Sequence, residues 1–414
     1  MSKKITFVFF LLLFLGGLIF AEGSSEEQRE LVINSNLSDP APKAAFNALV
    51  DGFKAEYPDI EVTLNEFDHE AYKTAIRNFL GSNPPDVALW FAGNRMRFFV
   101  EQGLLMDISD LWEEEDFYDS MASTRSAFAV GDEMYGVPWG YYQWGVYYRS
   151  DIFDEYGLEV PTNFDELTNV ADTLVENGVT PFTIGTKFLW TAAGWFDYLN
   201  LRINGYDFHM ELTEGKISYL DERLDAVFDV WAEMLNAGYF LENHEAYSWQ
   251  EAQAPLINGE AAMYLIGNFM IPDMERAGIV DDVDFFQFPI YDQSLPVSED
   301  APTEAYIVPS GAQNVEEAKL FIAYASRPDV LADFADATGN ISPNKYSRKP
   351  TDRFILQGFN LLGSADSLAQ FYDRDTSPEM AAKGMEGFQE FMVYPEREAE
   401  VRARIEEERQ RIFF

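Results

Sequence analysis

Between residues 30 and 91 the chain alternates short apolar strands with amphipathic helices, an order that few folds accommodate. Glu30-Leu-Val-Ile-Asn reads as a strand, and Phe46, Leu49, Val50, Phe53 and Tyr57 then recur at helical spacing until Pro58 stops the helix. Ile60-Glu-Val-Thr-Leu alternates as a second strand and residues 72–80 read as a second helix. Asn83-Pro-Pro-Asp breaks that helix before the apolar run at 87–91. Strand, helix, strand, helix, strand predicts a parallel sheet with right-handed crossovers. Ligands of such sheets sit beyond the carboxyl ends of the strands. The loops there are Ser35-Asn-Leu-Ser-Asp39, Glu66-Phe-Asp-His69 and Ala92-Gly-Asn-Arg95. Asn36, Asp39, Glu66, Asn94 and Arg95 are the candidate rim residues, each weighed against a solvated turn. Asn94 and Arg95 stand out because they follow a Trp-containing strand and open a helix.

A second constraint is the run at 135–149, where seven of fifteen residues are aromatic against 15% for the chain. Trp139 and Trp144 are flanked by glycine, and strand or helix periodicity would send the rings of this run to both faces of one segment. Two readings remain: part of the run lines a ligand cleft, or the whole is a buried strand with aromatic packing. A further α/β unit begins near 145. Thr162-Asn-Phe-Asp is a capping box for a helix ending at Gly178, followed by a strand at 182–184. Trp190 and Trp195 follow in a loop and helix start, one expected in the core and the other in a cleft. After a strand at 262–266, Gly267-Asn-Phe-Met makes a turn that lets backbone and Asn268 approach a ligand closely. A strand at 304–308 leads to a helix at 315–325, and the charged helix at 396–412 reads as a solvated face.

Composition adds limits. Met-Ser-Lys-Lys, an apolar run at 5–20 and Ala21-Glu-Gly-Ser-Ser have the pattern of a cleaved secretory signal, which predicts a periplasmic protein. The chain has no cysteine, so it is expected to be neither lipid-anchored nor disulfide-stapled, and a large apolar core must hold it. Roughly 390 mature residues exceed what one core fills, which predicts two lobes. Removing both signal-region lysines leaves 27 basic against 71 acidic residues. Such acidity disfavours nucleic acid and anionic lipid, favours a soluble monomer, and points to a neutral or cationic ligand.

The usual catalytic signatures are missing. His69, His209 and His244 are scattered, with no metal-ligand spacing, and there is no Gly-x-Ser-x-Gly elbow, phosphate-binding glycine motif or cysteine nucleophile. Neither metal nor cofactor is expected. What the chain supplies is aromatic surface and planar polar groups spread over two lobes, a make-up suited to neutral polyols. Three functional classes follow: a sugar-binding protein, an exported glycoside hydrolase using a carboxylate pair, and a binding protein for a peptide or a cationic solute.

Several segments, in order along the chain, resemble the extracellular solute-binding proteins of bacterial ABC sugar importers, the maltose-binding-protein-like group. They are Phe53-Lys-Ala-Glu-Tyr-Pro-Asp-Ile-Glu-Val, Pro85-Asp-Val-Ala-Leu-Trp, Tyr135-Gly-Val-Pro-Trp, Val146-Tyr-Tyr-Arg-Ser-Asp-Ile-Phe, Asn258-Gly-Glu-Ala-Ala-Met-Tyr-Leu-Ile-Gly and Ala318-Lys-Leu-Phe-Ile. The resemblance implies a two-lobed α/β periplasmic-binding-protein fold of type II, each lobe a mainly parallel sheet flanked by helices, joined by several hinge crossings. After a signal peptide at 1–21, the lobes are expected at 22–140 plus 303–328 and at 141–302 plus 329–414. It further implies Asn94 and Arg95 in the cleft, Trp139 and Tyr142 on the first crossing, and Phe269 beside Asn268 in the turn after Gly267. Trp190 and Trp195 fall where the family has aromatic platforms, at a spacing that departs from the maltose-binding pattern. The second crossing is expected near Glu304 and the third near Ser342, with Arg374 and Asp375 on a C-terminal loop that reaches the ligand. The implied partners are a carbohydrate and the permease subunits of an ABC importer.

Overall fold

The structure is a computed structural model that describes residues 29–414; the expected signal segment lies outside the described residues. The first five elements fall where the alternation puts them: β1 (Arg29–Ser35), α1 (Pro40–Glu56), β2 (Ile60–Glu66), α2 (His69–Ser82) and β3 (Val87–Phe91), followed by α3 (Asn94–Glu101). β1 lies between β2 and β3 and is parallel to both. The sheet then departs from the expectation. Thr303–Ile307 inserts antiparallel to β3, and Val137–Tyr141 closes the sheet antiparallel to it. In the second sheet, Val283–Phe286, Trp144–Arg149, Ala261–Gly267 and Thr180–Phe182 lie side by side, and only the last pair is parallel. Both sheets are therefore mixed rather than mainly parallel. Strand direction is set by where the chain re-enters a lobe, and the two-residue period of a strand carries no record of it.

Each sheet has its own core. Leu31, Ile33, Phe46, Phe53, Trp112 and Phe321 belong to the first, and Tyr147, Trp195, Phe196, Phe228, Trp231 and Phe388 to the second. The aromatic run at 135–149 crosses between them: Val137–Tyr141 pairs in the first sheet and Trp144–Arg149 in the second, with Tyr142 and Gln143 between. A later crossing runs beside it, because the Tyr141 and Ile341 amides exchange backbone hydrogen bonds at 3.2 and 2.7 Å. The helix Pro328–Thr338 packs with the first core through Leu331 and Phe334, the latter 5.9 Å from Phe46, ring centre to ring centre. The expected division at 328 thus assigned this helix to the wrong core.

The C-terminal helix Glu398–Phe413 is a second correction. It buries Val401 and Ile405, and Arg402, Glu406 and Arg409 with them, whereas its charge pattern reads as solvated. The buried charges are compensated: Arg409 forms a two-point pair with Glu406 at 2.7 and 2.8 Å, and Arg402 donates to the Tyr219 and Asp221 carbonyls. Among the described residues no helix is long and apolar enough to cross a membrane.

One buried carboxylate ties the start of the chain to the return segment. Asp86 accepts from the Val32 amide at 2.8 Å, from the Gln313 and Asn314 amides at 3.0 and 2.9 Å, and from the Asn314 side chain at 3.0 Å. Removing an acceptor strands buried donors at about 1–3 kcal/mol each when nothing replaces it. Asp86→Ala is expected to cost about 3 kcal/mol of stability, measured as a lowered urea midpoint; an unchanged midpoint would contradict this role.

Candidate functional site

The loops that follow β1, β2 and β3 face the second lobe across a cavity of about 130 Å³. Its second-lobe wall is aromatic. Trp190 opens the helix Trp190–Ile203, Trp249 lies in the turn before a short helix, and Phe269 lies in the turn after Ala261–Gly267. Their ring centres are 5.0–6.4 Å apart, and Tyr142 meets Phe269 edge-on at 5.3 Å. Gly267 permits this: a Cβ there would lie 2.3 Å from the Phe269 ring. Phe91 and Trp139 supply rings from the first lobe.

The polar floor is built around a buried ion pair. Arg374 donates to Glu304 at 2.8 Å, to the Thr303 carbonyl at 2.9 Å and to the Tyr142 hydroxyl at 3.3 Å, with its guanidinium over the Phe91 ring. The segment that carries it, 370–375, is held from behind. Phe371 sits at φ 132°, a conformation costly for a side-chain-bearing residue. Around it, Asp375 accepts from the Gln370 and Phe371 amides and Asp197 accepts from the Tyr372 amide. Gly93 lets this segment approach α3, since a Cβ at that position would stand 2.7 Å from the Arg374 carbonyl oxygen.

Nearer the mouth stand Asp39, His69, Lys73 and Asp273. Burial holds the His69 imidazole well below its ordinary range, which leaves it neutral at pH 7, and pulls the Lys73 ammonium down as well. Burial also raises the Asp39 carboxyl, which accepts from the Gln250 side chain at 3.3 Å.

Of the residues singled out in the sequence, Asp39, Trp139, Tyr142, Trp190, Phe269, Glu304 and Arg374 line this cavity. The others do not. Trp195 is fully buried against Phe182, Phe240 and Phe288, so it is a core residue and not a platform. Asn94 donates to the Asp375 carbonyl and Arg95 pairs with Asp373 at 2.6 Å, so both brace the 370–375 segment. Glu66 is tied to Lys43 at the rim and Asn36 is buried at the end of β1. Asn268 donates to the Gly339 carbonyl and accepts from Tyr147, joining two crossings; Ser342 shares a hydrogen bond with Ser347; the Asp375 carboxylate faces its own backbone. Sequence reasoning passed over Lys73, Trp249, Asp273, Asn340 and Asp373 in the lining. His69 and Lys73 carried a usable signal, standing four apart on the first turns of α2 at a strand's carboxyl end.

Residues 38–332 match the family model of the bacterial extracellular solute-binding proteins. The chain belongs to that family. Among curated relatives, this solute-binding protein is 27% identical over 329 residues to an uncharacterised ABC transporter extracellular-binding protein of Pyrococcus horikoshii, covering 78% of this chain and 73% of that one. It is 20% identical over 312 residues to the multiple sugar-binding protein of Streptococcus mutans, covering 72% and 71%. Among solved structures it is similar to the bacterial solute receptor AcbH, described as having an exclusive preference for β-D-galactopyranose. The identity is 32%, the TM-score 0.88, and the match covers 94% of this chain and 100% of that one. A chitin oligosaccharide binding protein, 18% identical, has the same fold with a TM-score of 0.83 over 92% of this chain and 98% of that one.

The buried acids behind the cavity make the solute-binding protein's stability depend on pH. Burial pushes Asp375 up to about 6 even though two amides donate to it. The folded protein therefore holds this proton more tightly than the unfolded chain does. The resulting stability is complete below the ordinary carboxylate range and is lost as pH rises through about 6. Asp375→Asn is expected to remove that loss: between pH 4.5 and 7.5 the variant gains about 1–3 kcal/mol relative to the native protein. Urea unfolding at the two pH values measures it, and parallel pH profiles would contradict the assignment.

Proposed function

We propose that the chain is the ligand-capturing component of an ABC-type carbohydrate importer, which holds a mono- or oligosaccharide between its lobes and presents it to a membrane permease unchanged. The observation that carries this reading is the cavity's make-up: a wall of Trp190, Trp249 and Phe269 set against the Glu304–Arg374 pair. Sugar rings offer C–H faces that stack on such rings, and hydroxyls that planar carboxylate and guanidinium groups bind in pairs. The names borne by relatives agree, among them the multiple sugar-binding protein and the alpha-glucosides-binding protein AglE of Rhizobium meliloti.

Binding without chemistry fits the state of the carboxylates. Each of the four lining carboxylates is engaged, Glu304 by Arg374, Asp373 by Arg95, Asp273 by Arg276 and Gln253, and Asp39 by Gln250, whereas a glycoside hydrolase needs one free carboxylic acid opposite a nucleophile or base. On this reading the protein acts as a monomer in the periplasm or outside the cell, is not lipid-anchored because it has no cysteine to modify, and binds no nucleic acid. The crossings at 140–144, 300–303 and 339–341 serve as hinges about which the lobes close.

Thermal shift and calorimetry with a panel of sugars test the proposal. Trp190→Ala is expected to weaken binding by about 1–3 kcal/mol. Trp195→Ala is expected to lower stability by about 3–5 kcal/mol and leave the affinity of the folded protein unchanged. Release of a cleaved product, or no stabilisation by any saccharide at millimolar concentration, would defeat the reading.

A further inference from the structure

We infer that the cavity is built for one pyranose ring, and that two contacts across its mouth, Asp39 with Gln250 and Lys73 with Trp190, exclude longer saccharides. The inference rests on the sugar-binding reading and narrows it. Size comes first. A cavity of about 150 Å³ takes one six-membered benzene ring, so 130 Å³ is the room of one such ring. A hexopyranose has one ring and a disaccharide two, so the space matches one ring and not two.

The seam that bounds it joins opposite lobes. Asp39 stands between β1 and α1, and Gln250 reaches it at 3.3 Å from the second lobe. Lys73 on α2 is held by Glu70 at 3.0 Å and lies 5.9 Å from the centre of the Trp190 ring, which faces it from the other side of the mouth. A buried ammonium against an indole is an attraction that strengthens as water is excluded.

Outside the seam lies a second, open pocket of about 410 Å³ that shares Asp39 and His69 with the inner cavity. Its chemistry differs. Apart from the exposed Phe188 and the His69 imidazole that it shares with the inner cavity, its lining offers no aromatic ring, and Asp68, Lys187 and Glu251 are exposed charges. A second sugar unit would therefore have to part the seam to reach a space that gives it little stacking surface. That asymmetry makes Gln250 and Lys73 specificity-determining residues.

Calorimetry with D-glucose, D-galactose and D-mannose, and with maltose, lactose, cellobiose and melibiose, tests this on the native protein and on Gln250→Gly and Lys73→Met. The expected result is that at least one free hexose binds 100-fold or more tighter than any disaccharide containing it, and that each variant narrows the gap at least tenfold by admitting the disaccharide. A disaccharide that binds within tenfold of its hexose, or better, would overturn the one-ring inference while leaving sugar binding intact. An unchanged ratio in both variants would overturn the role of the seam. Absence of binding by every saccharide, of any length, would overturn the sugar reading itself and the inference with it.

Discussion

The guanidinium of Arg374 is the joint at which lobes, crossings and cavity meet. A buried cation is tolerated only when its partners are close and complete, and removing one partner from such a pair costs about 3–5 kcal/mol. Arg374 answers that demand with Glu304 and the Thr303 carbonyl on one strand, the Tyr142 hydroxyl on a crossing and the Phe91 ring at the end of β3. Much else follows from keeping it there. The absence of a side chain at Gly93, the positive φ of Phe371 and the amide bonds gathered by Asp197 and Asp375 all serve to bring one short C-terminal segment against the opposite lobe.

The parts of the fold fixed by local spacing were legible in the sequence. Helical recurrence of Phe46, Leu49, Val50 and Phe53 and the breaks at Pro58 and Asn83-Pro-Pro locate α1, α2 and the three parallel strands around them. Strand direction beyond that point was not legible, because Thr303–Ile307 joins the first sheet beside Val137–Tyr141 only after the chain has passed through the second sheet. The same distance effect explains the rim. The strand-end rule found the correct edge, but the side chains of Asn94 and Arg95 turn toward Asp375 and Asp373, partners about 280 residues away. Nothing near residue 94 announces them.

The two tryptophans at the helix start show how a single element divides its roles. Five residues apart on a helix, Trp190 and Trp195 point about 140° apart, so when one faces the cavity the other is driven into the core. Sequence spacing establishes the division but not its sense, which depends on where the second sheet lies. Charge is similar. The chain carries a net charge of −42, yet two of the six charged residues lining the cavity are the cations Lys73 and Arg374, so bulk acidity does not announce the cations of the site. In the C-terminal helix a charge-rich sequence hides a buried face for a related reason, since Arg402 and Arg409 find their partners in a distant loop as well as within the helix.

The central claim is that a sugar sits between the lobes, stacked on the Trp190, Trp249 and Phe269 wall, with its hydroxyls turned to the Glu304–Arg374 pair. A crystal structure of the protein grown with the hexose that stabilises it most tests this directly. The account predicts ring density against that wall, within hydrogen-bonding distance of Glu304 or Arg374, with Asp39 near a further hydroxyl. A sugar bound elsewhere on the protein, or seated between the lobes without touching either the aromatic wall or the ion pair, would contradict it.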